Sequence, residues 1–256
     1  PYDGEFYNFN KLKPTQYWKL AEDFDPASYD PMKWLEAARD AGVRYAVLTT
    51  RHHEGFALWP SAFGELNTKN HMKGRDLLKP FVNACRKLSI RVGFYYSPPD
   101  WYWSRDYMSF NYGNGTWPEE WIEKHPEAYS LVPKGAWDQN WSPRNEPAPM
   151  SKETEREYAQ YVCGQIRELL TGYGDIDVIW FDGNPFTHFL PISVDEIRAL
   201  QPGIVINPRL HGTVDFETPE CRLPEQRPEG WWEGCFIFNQ GGWGYSRSEL
   251  YESSGW

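Results

Sequence analysis

The chain has 256 residues, a formal net charge of −10 and an isoelectric point near 5.1. That length suits one α/β barrel or at most two ordinary domains, and the acidic balance excludes a nucleic-acid surface, because a phosphate backbone would repel it. The 36 acidic residues are spread along the chain and read as a solvated surface.

Along the chain, helical and strand signals alternate. Asp30-Pro31 opens a helix in which Trp34, Leu35, Ala38 and Ala41 recur at helical spacing, and Gly42 closes it. The apolar run Val43–Thr50 suits a buried strand. A helix is expected from about Arg75 to Lys87, with Leu77, Leu78, Phe81, Val82 and Cys85 on one face, followed by a strand over Ile90–Ser97. Residues 98–150 break this rhythm. They are rich in Trp, Tyr, Pro, Asn and Gly without a sustained period, and connections of this length are usually functional or disordered. Ser151 then caps a long helix with an apolar stripe of Tyr158, Tyr161, Val162, Ile166, Leu169, Leu170 and Tyr173, stopped by Gly172 and Gly174. Asp177–Asp182 is a third strand, running into Gly183-Asn-Pro. A short helix at Val194–Leu200 leads to a strand over Ile204–Asn207. Gly234–Asn239 reads as a further strand, and Arg247–Glu252 as a helical turn.

This alternation implies parallel strands joined by crossover helices. Nearly every strand ends in chemistry: Arg51-His52-His53-Glu54, Tyr95-Tyr96-Ser97, Asp182, and Asn207-Pro208-Arg209. In a (β/α)8 barrel all strand C-termini converge on one site, whereas an open sheet strings them along an edge. No Gly-rich phosphate loop marks a nucleotide-binding sheet. The expected fold class is therefore α/β, a TIM-like barrel spanning residues 1–256 as a single catalytic domain, with 98–150 as an aromatic-rich insertion.

The aromatic content, 14 Trp, 16 Tyr and 14 Phe at a mean hydropathy of −0.71, requires many rings to be partly exposed or to line a cleft. Flat C–H faces of sugars pack on such rings, so carbohydrate is a natural ligand class, with core packing as the competing use. The four cysteines form no C-x-x-C pair. They read as mostly buried thiols, with a Cys221–Cys235 bridge left open. No apolar run reaches membrane-spanning length, and no signal-peptide pattern is present. The start at Pro1 reads as a processed or trimmed piece. Asn114 and Asn140 open glycosylation triplets.

Asp182 is the sharpest single feature. An ionised carboxylate finishing an apolar strand cannot be buried cheaply without partners, so it belongs at the sheet's open end; capping a helix or anchoring a loop is the alternative use. Glycosidic cleavage needs a second carboxyl group, and Glu217, Glu220 and Glu225 are all candidates that spacing cannot separate. His52 and His53, adjacent on an extended strand, would point opposite ways unless the backbone bends. They suit sugar hydroxyls, and no third ligand at familiar spacing supports a metal. Arg209 would bind a ring hydroxyl or hold a carboxylate in its charged form. Trp59, Trp180 and Trp243 are candidate pocket walls.

The runs Thr49-Thr-Arg-His-His-Glu-Gly-Phe-Ala-Leu-Trp-Pro-Ser61, Gly93-Phe-Tyr-Tyr-Ser97 and Ile179-Trp-Phe-Asp-Gly183 resemble the α-L-fucosidases of glycoside hydrolase family 29. The resemblance extends from about Glu5 to Tyr245. It implies a retaining exo-glycosidase on a (β/α)8-like barrel, with no cofactor and no metal, acting on fucosylated oligosaccharides or glycoconjugates in a secreted, periplasmic or lysosomal-type compartment. By this resemblance Asp182 is the nucleophile, His52 and His53 contact fucose hydroxyls, and Tyr95 or Tyr96 lines the pocket. Trp180 and Arg209 match binding positions, and Glu220, in Asp215-Phe-Glu-Thr-Pro-Glu220, fits the acid/base position. Glu5, in Gly4-Glu-Phe-Tyr7, is a further candidate contact. The family's opening strand with its His-Trp-Gly motif has no counterpart, and only five or six strand candidates appear where a closed barrel needs eight. A truncated barrel or an excerpt of a longer protein is thus expected. Competing readings are a relative acting on galactose or sulfated fucose, a non-catalytic carbohydrate-binding protein, and a metal-dependent hydrolase.

Overall fold

The computed structural model describes residues 13–107, 149–183, 187–237 and 243. The chain divides into two compact units. The larger holds Leu20–Tyr107 and Ala148–Asp215; the smaller includes residues 13–19 and 216–237.

Helix α1 (Pro14–Asp23) comes first. The larger unit then alternates through α2 (Pro31–Asp40), β1 (Tyr45–Arg51), α3 (Thr68–His71), α4 (Leu78–Lys87), β2 (Arg91–Tyr96), α5 (Lys152–Thr171), β3 (Val178–Phe181), α6 (Val194–Leu200), β4 (Val205–Ile206) and α7 (Pro208–His211). Local chemistry sets these boundaries. The Asp30 carboxylate accepts from the Lys33 amide with Pro31 in the first turn of α2, satisfying a donor the helix leaves open. Ser151 caps α5 through the Thr154 amide, and Ser193 and Glu196 close a reciprocal box on α6. Helix α4 starts at Leu78 and not at Arg75, because Asp76 Oδ1 accepts from the amides of Leu78 and Lys79 at 2.9 and 3.0 Å.

The four strands of the main sheet are parallel and ordered β1-β2-β3-β4. A doubly wound sheet reverses its strand order at a switch point; this order follows the chain without reversal, and all four C-terminal ends lie on one edge. Side chains alternate across the strands. Phe94, Tyr96, Ile179 and Phe181 are buried in a cluster with Phe81, Val82, Ile166, Leu169 and Leu170 of the helices, leaving Tyr95 and Trp180 on the opposite face. Gly93 lets the strands close up: a Cβ there would lie 2.7 Å from Val47 Cγ2 and 3.3 Å from Val178 Cβ. Asn207 extends the ladder with its side chain, accepting from the Phe181 amide and donating to the Phe181 carbonyl, each at 2.8 Å.

Among the described residues the largest wholly buried side chain is Arg51, the last residue of β1. Its Nη1 donates to Tyr161 Oη and Gln165 Oε1, both at 2.7 Å, and lies 3.2 Å from Asp100 Oδ2. Its Nη2 donates to the carbonyls of Ser97 and Pro98, and its guanidinium sits 4.3 Å over the Tyr96 ring. Tyr161 in turn donates to Asp100 at 2.6 Å. Burial alone would favour the neutral guanidine, but the facing hydroxyls and Asp100 outweigh it and raise the Arg51 pKa.

In the smaller unit β5 (Phe216–Glu217) pairs in parallel with β6 (Trp231–Trp232). A strand expected at Gly234–Asn239 is not observed among the described residues. Of the described residues of that run only Cys235 pairs, in a single bridge to Glu220, through the Cys221 amide to the Cys235 carbonyl and the Cys235 amide to the Pro219 carbonyl. The Cys221–Cys235 bridge considered from sequence is not formed. No disulfide links any of the four cysteines, and Cys85 alone is buried. Among the described residues no helix is long and apolar enough to cross a membrane. Arg247–Glu252, Asn114, Asn140, Glu5 and most of the aromatic-rich insertion lie outside the described residues.

Replacing Arg51 by Ala removes one partner of a buried pair and strands the Asp100 carboxylate. A loss of about 3–5 kcal/mol is expected, read as a large fall in the urea midpoint; a midpoint unchanged from the parent protein would contradict the structural role.

Candidate active site

Asp182 directly follows β3. Its amide still donates to the Tyr96 carbonyl at 3.0 Å, so the backbone is tied to the sheet while the side chain leaves on the Trp180 face. Oδ2 accepts from the Tyr95 hydroxyl and lies 3.3 Å from His53 Nε2. Oδ1 accepts from Arg209 Nη1 at 3.0 Å. Arg209 reaches it from α7, which starts at Pro208 directly after β4 and the extended Asn207. Groups from three other strand ends therefore converge on one carboxylate. Burial on its own pushes that carboxyl up. The hydrogen bond and charge of His53, the Tyr95 hydroxyl and the Arg209 guanidinium outweigh burial and hold it well below the usual carboxylate range. The side chain remains 20% exposed, so the ionised group is within reach of a ligand.

His52 and His53 do not follow strand alternation. The register shifts between Thr49 and Arg51, and β1 ends before either histidine. Both rings can then face the same region, with centroids 4.4 Å apart. His52 Nδ1 lies 2.9 Å from Glu54 Oε2, and His53 Nδ1 meets Ser97 Oγ. Burial raises the Glu54 carboxyl, but the His52 hydrogen bond and charge prevail and hold it below its ordinary value. The ring of His52 stacks on Tyr95 at 5.8 Å and 8°, and Tyr95 stacks on Trp180 at 5.5 Å and 17°. The Arg209 guanidinium lies 4.5 Å from the Trp180 ring centre, a favourable cation–π distance. Four consecutive strand ends thus contribute four flat groups to one stack beside Asp182.

The fold brings together Asp182, His52, His53, Tyr95, Trp180 and Arg209. It does not add Tyr96 or Trp59. Tyr96 faces the helices by strand alternation, with its hydroxyl donating to Gln165 at 2.9 Å. Trp59 is buried and donates to Glu168 at 2.8 Å. Trp243 is half exposed. In the smaller unit Glu217 is half-buried on β5, while Glu220 and Glu225 are exposed. Three neighbours of the site were not singled out from sequence. Ser97 and Glu54 sit inside the strand-end clusters as hydrogen-bonding partners of the histidines. Trp101, which packs against His52 and His53 at 6.4 and 5.4 Å, was one ring among many in the aromatic-rich segment.

His52, His53 and Asp182 also offer ligand atoms within 4.8 Å of one another, so the third ligand that spacing did not show is Asp182. The surrounding donors argue for a different use. Tyr95 and Arg209 engage the two carboxylate oxygens, and a guanidinium 3.0 Å away repels an added dication. What this arrangement can do is present an ionised carboxylate beside a stack of flat groups edged with hydroxyl-binding atoms.

The depressed carboxyl has a signed consequence. A carboxylate pulled below its unfolded value of about 3.9 contributes stability above that pH and loses it as pH falls through the folded value. The melting-temperature difference between the parent protein and Asp182→Asn should therefore be steady from pH 5 to 7 and shrink below about pH 4. A difference that grows on acidification would contradict the charged cage.

The Alpha-L-fucosidase family model matches residues 3–255. The tissue alpha-L-fucosidase of Mus musculus is 26% identical over 245 residues, covering 90% of this chain and 46% of that protein. The Homo sapiens tissue enzyme is 26% identical, with 96% and 48% covered. The chain thus spans about half the length of the curated relatives it matches. Among solved structures, alpha-L-fucosidase isoenzyme 1 from Paenibacillus thiaminolyticus is 30% identical, with a TM-score of 0.68 over 98% of this chain and 57% of that one. AlfC from Lactobacillus casei, in complex with alpha-L-fucose product, is 26% identical, with a TM-score of 0.69 over 98% of this chain and 72% of that one. With the family model covering nearly every residue and these neighbours sharing the fold, the chain belongs to the alpha-L-fucosidase family.

Proposed function

We propose that this chain carries the nucleophile and sugar-binding groups of a retaining exo-α-L-fucosidase, built on a (β/α)8-like barrel domain of which β1–β4 form part of the wall. The observation that carries the proposal is the Asp182 carboxylate, kept ionised by His53, Tyr95 and Arg209 yet accessible. In this reading an Asp182 oxygen attacks the anomeric carbon while the bond to the leaving oxygen breaks, giving a fucosyl ester. Glu220, by the family resemblance, protonates the leaving oxygen. It then takes a proton from water, which attacks the anomeric carbon and expels Asp182. A carboxylate of low proton affinity is a good leaving group, so the three donors favour the second step. His52, His53, Trp180 and Arg209 would bind fucose hydroxyls, with Glu5 and Trp243 as further contacts.

Fucosylated oligosaccharides or glycoconjugates are the proposed substrates, in a secreted, periplasmic or lysosomal-type compartment. A solved AlfC variant from Lactobacillus casei carries Fuca(1,6)GlcNAc, which supports that substrate class.

The test is turnover of an aryl α-L-fucoside. Asp182→Gly should lose activity by several orders of magnitude while keeping its fold. Azide should restore aryl release and yield the β-fucosyl azide, because the small anion attacks from the vacated side. In Glu220→Gln, kcat/KM should fall for sugar leaving groups far more than for activated aryl ones. Full activity of Asp182→Gly would overturn the reading.

A further inference from the structure

Ser97, one residue beyond β2, is wholly buried. Its Oγ donates its single hydrogen to the Pro99 carbonyl at 2.7 Å. A carbonyl can only accept, so this bond fixes the direction of the next one. Only lone pairs of Ser97 Oγ remain for His53 Nδ1, 2.5 Å away. The reverse arrangement, with Ser97 donating to His53, would leave two acceptor oxygens facing each other at 2.7 Å.

We infer that Ser97 is a positioning residue that accepts a hydrogen from His53 Nδ1 and so turns the Nε2–H toward Asp182, the ring carrying a hydrogen on each nitrogen. The chain of bonds runs from His53 Nδ1–H to Ser97 Oγ, and from Ser97 O–H to the Pro99 carbonyl. The outer end is anchored in backbone, because the neighbouring Ser97 and Pro98 carbonyls are themselves held by Arg51. The Trp101 amide donates to the His53 carbonyl at 2.7 Å and closes the same turn. Asp182, Arg209, Tyr95, His52 and, behind His52, Glu54 are the titratable or charged groups around the ring. Among these contacts Ser97 Oγ is the one that meets Nδ1. Nε2 is then the nitrogen through which His53 meets Asp182, 3.3 Å away, and a substrate hydroxyl. The placement of the hydrogen stands on geometry alone; only its kinetic consequence rests on the fucosidase reading.

The test is a long-range 1H–15N spectrum of the full chain with 15N-labelled histidine, His53 being assigned by the signals lost in His53→Gln. A protonated Nδ1 on His53 is expected in the parent protein. In Ser97→Ala that preference should relax, and kcat should fall about 10–100-fold, by analogy with the partners that orient metal-ligating histidines. Ser97→Thr, which keeps the hydroxyl, should recover both. A bare, pyridine-type Nδ1 in the parent protein overturns the inference. So does a Ser97→Ala protein whose His53 signals and kcat match the parent. If Ser97→Ala fails to fold, the parent spectrum decides. If the parent turns over no fucoside, the spectrum still decides on Ser97, and the fucosidase reading fails separately.

Discussion

The site depends on one buried charge. Arg51 ends β1 inside the core, and a guanidinium taken out of water is tolerable only with a counter-ion and dense hydrogen bonding. Asp100 supplies the first; Tyr161 and Gln165 of α5 and the Ser97 and Pro98 carbonyls supply the second. These contacts bind the end of β1, the segment after β2 and the middle of α5 into one cluster. His52 and His53 follow Arg51 directly, and Trp101 follows Asp100, so the cluster fixes both loops that border Asp182. The turn after His53 closes on the Asp100 carboxylate. Gly55 has φ +95°, and a Cβ there would lie 2.4 Å from Asp100 Oδ1, so both conformation and space call for glycine.

On that support the site separates two carboxylates by their partners. Glu54 is tied to His52 and braces it. Asp182 faces outward under three donors and remains ionised despite its burial. Tyr95 serves twice, as a donor to Asp182 and as the middle plane between His52 and Trp180. A substitution of Tyr95 would therefore disturb charge and shape together. Arg209 is likewise both a partner of Asp182 and a cap on Trp180.

Much of this was legible in the sequence because it is local. Asp30-Pro31 and Ser151 announce helix starts through their own side chains, and the runs Val43–Thr50, Ile90–Ser97 and Asp177–Asp182 read as strands. Asp182 was legible because a carboxylate ending an apolar run has few other places to go. What pattern could not decide was direction. Tyr95 and Tyr96 are equivalent in composition, and only the register with Trp180 and Phe181 assigns the first to the site and the second to the core. The two histidines depended on a one-residue irregularity between Thr49 and Arg51. Trp59 lies in the motif beside the histidines, yet Glu168, more than a hundred residues away, draws its indole into the core. The apolar run at Gly234 looked like a strand, yet its described residues form a single bridge, because pairing needs a partner edge that sequence does not reveal.

The most direct test of the account is to trap the covalent intermediate on Asp182. The protein is incubated with 2-deoxy-2-fluoro-α-L-fucosyl fluoride, quenched at low pH, digested and mapped by mass spectrometry. The account predicts one fluorofucosyl adduct, on the peptide that contains Asp182. An adduct on any other carboxylate would contradict it.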